Sequence, residues 1–200
     1  MFAVITGDIV QSRQSAVEVW INLLKDILNQ YGSSPKDWEI YRGDSFQIIT
    51  TPEQALNLSF IIKSYLKSKE INVRMAIGIG EIDYRTDKAT ESNGTAFVNS
   101  GTCFDALKKQ TLALQTPWNP LNTTLNIMLD LATITMDKWT AKTAEVVCFK
   151  FQNPTMNQKD IAKNFDNKRQ GNISEALKRG GYDELNQLLN YYQQSIRELC

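Results

Sequence analysis

Two aspartates have the types and spacing that chemistry needs. Asp8 lies near the end of the apolar run Phe2-Ala3-Val4-Ile5-Thr6-Gly7-Asp8-Ile9-Val10. Asp44 lies in Trp38-Glu39-Ile40-Tyr41-Arg42-Gly43-Asp44-Ser45-Phe46-Gln47-Ile48-Ile49, two apolar arms around a Gly-Asp centre. A carboxylate on a buried strand is costly unless something pairs with it. If the two strands are neighbours, the carboxylates converge and require a cation. Mg²⁺ takes few protein carboxylates and completes its shell with phosphate oxygens and water. The pair is therefore a candidate site for a nucleotide or another phosphorylated ligand with Mg²⁺. Other assignments stay open at this stage. Gly-Asp suits a tight turn by itself, and Asp8 could cap a helix. Arg74 could contact phosphate, or pair with Asp8 or Asp44 and leave no cation at all.

The elements that must position this pair follow from periodicity. Val17, Val19-Trp20, Leu23-Leu24, Ile27-Leu28 and Tyr31 mark an amphipathic helix ended by Gly32. Residues 38–50 read as a hairpin turning near Gly43-Asp44. Pro52 opens a second helix through Ala55, Leu58, Ile61-Ile62 and Tyr65-Leu66, and residues 71–80 read as a strand. The order β-α-β-β-α-β predicts an α+β domain of the ferredoxin-like kind, an antiparallel sheet with helices on one face. Residues 83–100 read as a polar, mobile excursion. A helix over 99–109, a strand over 111–115 and a connecting helix over 121–131 are expected next. From Trp139 onward only short helices are expected, so a division into domains 1–134 and 135–200 is predicted.

Composition removes several function classes. The 22 basic and 22 acidic residues cancel, so any nucleic-acid contact must come from a local patch. There is no histidine, which excludes Ser-His and Cys-His nucleophile pairs. Cys103, Cys148 and Cys200 are an odd, widely spaced set without CxxC, against a zinc site or a disulfide framework. With no signal peptide and no long apolar span, a cytoplasmic protein without a membrane partner is expected.

Several of these stretches resemble class III nucleotide cyclases. Thr6-Gly7-Asp8-Ile9-Val10 looks like their first metal-binding strand. Arg42-Gly43-Asp44-Ser45-Phe46 looks like their Gly-Asp hairpin and that of diguanylate cyclases, and Val73–Gly80 is similar to the strand that follows. With Gly94-Thr95-Ala96-Phe97 and Ser100-Gly101, the whole most resembles the SatD family. The resemblance implies Asp8 and Asp44 as metal ligands, with Ile9, Gly43, Ser45, Arg74 and Asn99 around a nucleotide or phosphate. It also implies a possible homodimer. Two departures bear on activity. The position of the cyclases' triphosphate-steadying arginine, four residues after Asn99, holds Cys103. Their adenine-selecting lysine is replaced by Ile40. A binding or degenerate domain is expected rather than an active cyclase.

The end of the chain carries a second pattern. "Thr-x-x-x-x-Glu-Val-Val" from Thr140, "Gln-x-x-Ile-Ala" from Gln158 and "Ile-Ser-x-Ala-Leu-Lys-Arg" from Ile173 resemble the helix-turn-helix of sigma-factor region 4 and LuxR-type regulators. The turn between the last two is longer by about one residue, with Asp166 where glycine is customary. A recognition helix presents its first residues to base edges while nearby basic groups meet phosphate. Lys168, Arg169, Gln170, Asn172, Ser174, Lys178 and Arg179 are the appropriate types. A helical bundle used for dimerisation is the competing assignment. Together these features predict a two-part regulator that senses a ligand and binds DNA. The alternatives are a divergent Mg²⁺-dependent cyclase or phosphoryl-transfer enzyme, and a non-catalytic dimerising scaffold.

Overall fold

The computed structural model describes residues 1–12, 17–165 and 169–200. The chain is a mixed α/β structure of five strands and eight helices among those residues. The first strand, β1 (Phe2–Ile9), lies at the middle of the sheet. The hairpin strands β2 (Trp38–Tyr41) and β3 (Ser45–Thr50) extend one side. On the other side lie β4 (Val73–Gly80) and β5 (Leu112–Gln115), giving the order β2-β3-β1-β4-β5. The pairs β2–β3, β3–β1 and β1–β4 are antiparallel, while β4–β5 is parallel. The sheet is therefore mixed rather than wholly antiparallel, because β5 arrives through a crossover instead of a hairpin.

One face carries the main core. Ile5, Ile9, Phe46, Ile48, Met75, Ile77 and Leu114 alternate inward along their strands, as a half-buried pleat requires. They meet α1 (Val17–Leu28), which buries Trp20, Leu24, Ile27 and Leu28 at i, i+4, i+7 and i+8, and α2 (Pro52–Ser68).

The second face is covered too, so the helices are not confined to one side. The helix α3 (Thr95–Ala106) lies on β4. This close approach depends on Gly78, where a Cβ would stand 2.1 Å from the Ser100 nitrogen and 2.3 Å from the Ala96 oxygen. Thr95 Oγ1 accepts the Glu81 N–H at 2.8 Å, and Gly94 precedes the helix. These contacts start α3 four residues earlier than the periodicity suggests. Residues 83–94 are anchored rather than free. Tyr84 bridges Asn93, Ala89 N–H donates to Pro35 at 2.8 Å, and Thr90 N–H donates to Glu39 at 2.8 Å.

The remainder is helical. α4 (Asn119–Met136) runs past the expected division at residue 134. It is followed by α5 (Ala141–Gln152), α6 (Gln158–Lys163), α7 (Gln170–Arg179) and α8 (Tyr182–Leu199). Thr140 and Asn157 cap α5 and α6 by accepting the N–H groups of Thr143 and Asp160. α5 and α8 pack on α2, and Leu56, Phe151, Leu189 and Tyr192 belong to the same apolar cluster as the sheet. Among the described residues no helix is long and apolar enough to cross a membrane.

Candidate functional site

The strand register brings the carboxylates to one end of the sheet. Asp8 stands opposite Ser45 on β3 and opposite Arg74 on β4. Directly opposed residues on antiparallel strands share a face, and this is the face under α3. Arg74 meets Asp8 with a two-armed fork: Nε donates to Oδ1 at 3.0 Å, and Nη2 donates to Oδ2. The Phe104 ring of α3 lies 5.4 Å from the guanidinium carbon, a cation–π arrangement. The hydrogen bond to Asp8 raises the Arg74 pKa above its ordinary value. Partial burial opposes this, and the charges of Asp8 and Asp44 add to it.

Asp44 arrives through the hairpin. Tyr41 and Ser45 pair, leaving a three-residue loop in which Arg42 (φ 50°) and Gly43 (φ 89°) are left-handed. A Cβ on Gly43 would meet nothing within 4 Å. The glycine therefore answers to the turn angle and not to ligand room. The Asp44 carboxylate accepts a short hydrogen bond from Ser12 Oγ, and its backbone oxygen accepts Ile9 N–H at 3.2 Å.

This donor set can be tested against the Mg²⁺ that the cyclase resemblance implies. Both oxygens of Asp8 are held by the guanidinium, and Asp44 is bonded to Ser12. No three His, Cys, Asp or Glu side chains converge on a metal position among the described residues. A divalent ion at Asp8 would have to displace a bidentate arginine, which already supplies the positive charge. As arranged, the residues do not fit a resident Mg²⁺.

The other expected contacts separate. Ser45 and Arg74 flank Asp8, and Gly43 is at the hairpin tip. Ile9 is core, only 4 % exposed, with its N–H already used by Asp44. Asn99 lies farther along α3. Its amide donates to Ile79 at 2.7 Å and accepts from Gln115 at 3.4 Å, tying α3 to β4 and β5. Cys103 is a half-buried thiol that burial pushes up to about 11, so it is neutral near pH 7. Ile40 packs against the core. Three neighbours of the site have no role assigned from the sequence: Ser12, Phe104 and the Gln47–Thr6–Ser100 chain at 3.2 and 3.0 Å. Nothing local marks them, since each meets its partner only through strand pairing or helix packing.

The Asp8–Arg74 pair is partly wet, with side chains 19 % and 34 % exposed. Arg74→Met is therefore expected to cost about 1–2 kcal/mol, once screening by water is allowed for. A double-mutant cycle with Asp8→Asn, read from urea midpoints, should return a favourable coupling. Additive single effects would show that the fork contributes nothing.

At the helical end, α7 buries Ile173, Ala176 and Leu177. Arg169, Gln170, Asn172, Ser174, Lys178 and Arg179 are all exposed. Arg179 lies 3.7 Å from Glu175. Lys168, together with Asp166 in the expected turn, lies outside the described residues. The structure thus gathers most of the polar set onto one short helix. No family model and no curated protein matches this chain.

Proposed function

We propose that the chain is a DNA-binding regulatory protein. In this reading α6 and α7 form a helix-turn-helix, and the sheet half is a ferredoxin-like, cyclase-like module without catalytic activity. The observation that carries the DNA half is the solvent face of α7, where Arg169, Gln170, Asn172, Ser174, Lys178 and Arg179 are exposed above a buried Ile173-Ala176-Leu177 stripe. Side chains of these types suit phosphate oxygens and base edges. Residues 157–181 hold Lys159, Lys163, Lys168, Arg169, Lys178 and Arg179 against Asp160, Asp166 and Glu175, a net charge of +3 in a chain of zero net charge. That local excess suits weak, salt-sensitive attraction to a polyanion.

The strand order around β1, with Asp8 and Asp44 on adjoining elements, supports the cyclase-like assignment of the sheet half. The Arg74 fork and the neutral Cys103 argue against turnover. A nucleotide or phosphorylated effector remains the ligand class to test there.

Fluorescence anisotropy with duplex DNA over a range of salt concentrations tests the DNA half. The Arg169→Gln/Lys178→Gln/Arg179→Gln variant is expected to bind more weakly. Its log K against log salt slope should shrink by about 2–3, the number of phosphate contacts removed. Binding that is absent at low salt, or unchanged in the variant, would refute the proposal.

A further inference from the structure

Where β1 leaves for α1, a small cavity has a buried hydrogen-bond donor in its wall. Trp20 of α1 is only 2 % exposed. Among the described residues its indole Nε1–H is the one buried side-chain polar group with no hydrogen-bond partner. Two other buried indoles are satisfied. Trp38 donates to the Gly32 oxygen at 3.1 Å, and Trp139 donates to the Gly180 oxygen at 3.0 Å. A donor left unsatisfied in a core is costly, so the orphan calls for an acceptor.

Trp20 shares the lining of this cavity, of about 70 Å³, with Gln11, Glu70 and Asn72. Backbone geometry builds the cavity from both sides. At the end of α2 the Ile71 N–H donates to the Leu66 oxygen at 2.9 Å, and the Glu70 N–H donates to the Lys67 oxygen at 3.0 Å. With Glu70 left-handed at φ 61°, these bonds form a Schellman closure that fixes one wall. The Val10 N–H donates to the Asn72 oxygen at 2.9 Å and pins the exit of β1 against that wall. Gln11 comes next and is left-handed too, at φ 58°. It follows a strand, so no helix closure accounts for an angle that costs a residue with a Cβ.

We infer that this cavity is a hydration site in which ordered water accepts the Trp20 indole N–H. Volume sets the size of the occupant. A water molecule takes about 30 Å³ in the liquid, so about two fit, whereas pockets for organic ligands begin near roughly 300 Å³. Charge sets its kind. An anion would accept from the indole but meet the Glu70 carboxylate, and a cation would suit Glu70 but face the indole hydrogen. Water accepts from the one and donates to the other. The exposed amides of Gln11 and Asn72 offer it further partners. The site also bears on the nearby carboxylates. Ser12, whose hydroxyl donates to Asp44, directly follows Gln11. Water seated against Trp20 braces the turn that presents it.

Nuclear magnetic resonance of the isotope-labelled full chain tests the inference, with the indole N–H signals assigned. The Trp20 indole proton should show a cross-peak to water in both laboratory-frame and rotating-frame Overhauser spectra. The rotating-frame peak should have the sign of direct dipolar contact with held water, opposite to that of proton exchange. Trp38 and Trp139 are the internal controls. Their indoles already donate to backbone oxygens and should show no such peak. No variant is needed, so misfolding cannot obscure the result. A Trp20 indole with no water cross-peak, or with the exchange sign alone, overturns the inference. Equal water contact at all three indoles overturns it as well. Neither DNA nor a nucleotide enters the measurement, so failure here leaves the proposed function standing.

Discussion

Gly78→Ala is expected to destabilise the protein by about 3 kcal/mol, at the upper end of the range for overpacking a core. The added Cβ would sit 2.1 Å from the Ser100 nitrogen and 2.3 Å from the Ala96 oxygen. Both are backbone atoms of α3, so no side-chain rotation can relieve the contact. The helix must back away from β4. The Thr6–Ser100 hydrogen bond, the Asn99–Ile79 hydrogen bond and the Phe104–Arg74 contact all lie along that line and should loosen together. Gly43→Ala provides the contrast, since there the methyl meets open space and only the left-handed φ of 89° is strained. That should cost about 1 kcal/mol. Urea midpoints for the two variants decide the matter. A Gly78→Ala cost no larger than that of Gly43→Ala would mean that α3 is not fixed by this approach.

The same contacts explain where the sequence was legible and where it was not. The first four strands and α1 and α2 were readable because their apolar residues keep period 2 or 3.6 and Gly43, Gly32 and Pro52 punctuate them. The start of α3 was not readable. Its boundary is set by Gly94, and by Thr95 accepting the Glu81 N–H, a contact made across the fold. α4, Asn119–Met136, exceeds the expected 121–131 for a different reason. Ala132-Thr133-Ile134-Thr135 is rich in β-branched residues of low helix propensity, yet Thr133 and Met136 continue the buried stripe and burial prevails. At the candidate site, the types of Asp8, Asp44 and Arg74 were visible, but the choice between a phosphate contact and an ion pair was not. That choice depends on β1 and β4 pairing Asp8 with Arg74 across 66 residues. Nor did α2 announce that Lys63, set between Ile62 and Ser64 on a largely buried helix, points inward.

Lys63 carries the second large expected effect. It is 5 % exposed, and its ammonium reaches Asp137 at 2.7 Å, Thr111 Oγ1 at 3.0 Å and the Val73 oxygen at 3.3 Å. Thr111 in turn donates to Asp137. One cation thus ties α2, β4, the approach to β5 and the end of α4 together. Burial lowers the Lys63 pKa from its ordinary 10.5, and attraction to Asp137 opposes that shift without cancelling it. Removing one partner is therefore not equivalent to removing the other. Asp137→Ala leaves an uncompensated buried ammonium and should cost about 3–5 kcal/mol. Lys63→Met leaves Asp137, 40 % exposed, free to meet water, and should cost only about 1–2 kcal/mol. The pH dependence has a definite sign. Between the lowered folded pKa and 10.5 the unfolded chain holds the Lys63 proton while the folded chain has released it. Stability from this group therefore rises with pH in that window, by up to about 1.4 kcal/mol per pH unit, and is flat above it. The difference between wild type and Lys63→Met, measured by denaturant unfolding from neutral to alkaline pH, isolates this effect from the other titrating groups. Asp137→Ala should widen the window, because it removes the charge that keeps the proton on. If that difference falls as pH rises, attraction to Asp137 outweighs burial and the folded pKa is raised rather than lowered; if the two single variants cost the same, Asp137 is not what makes this buried lysine tolerable.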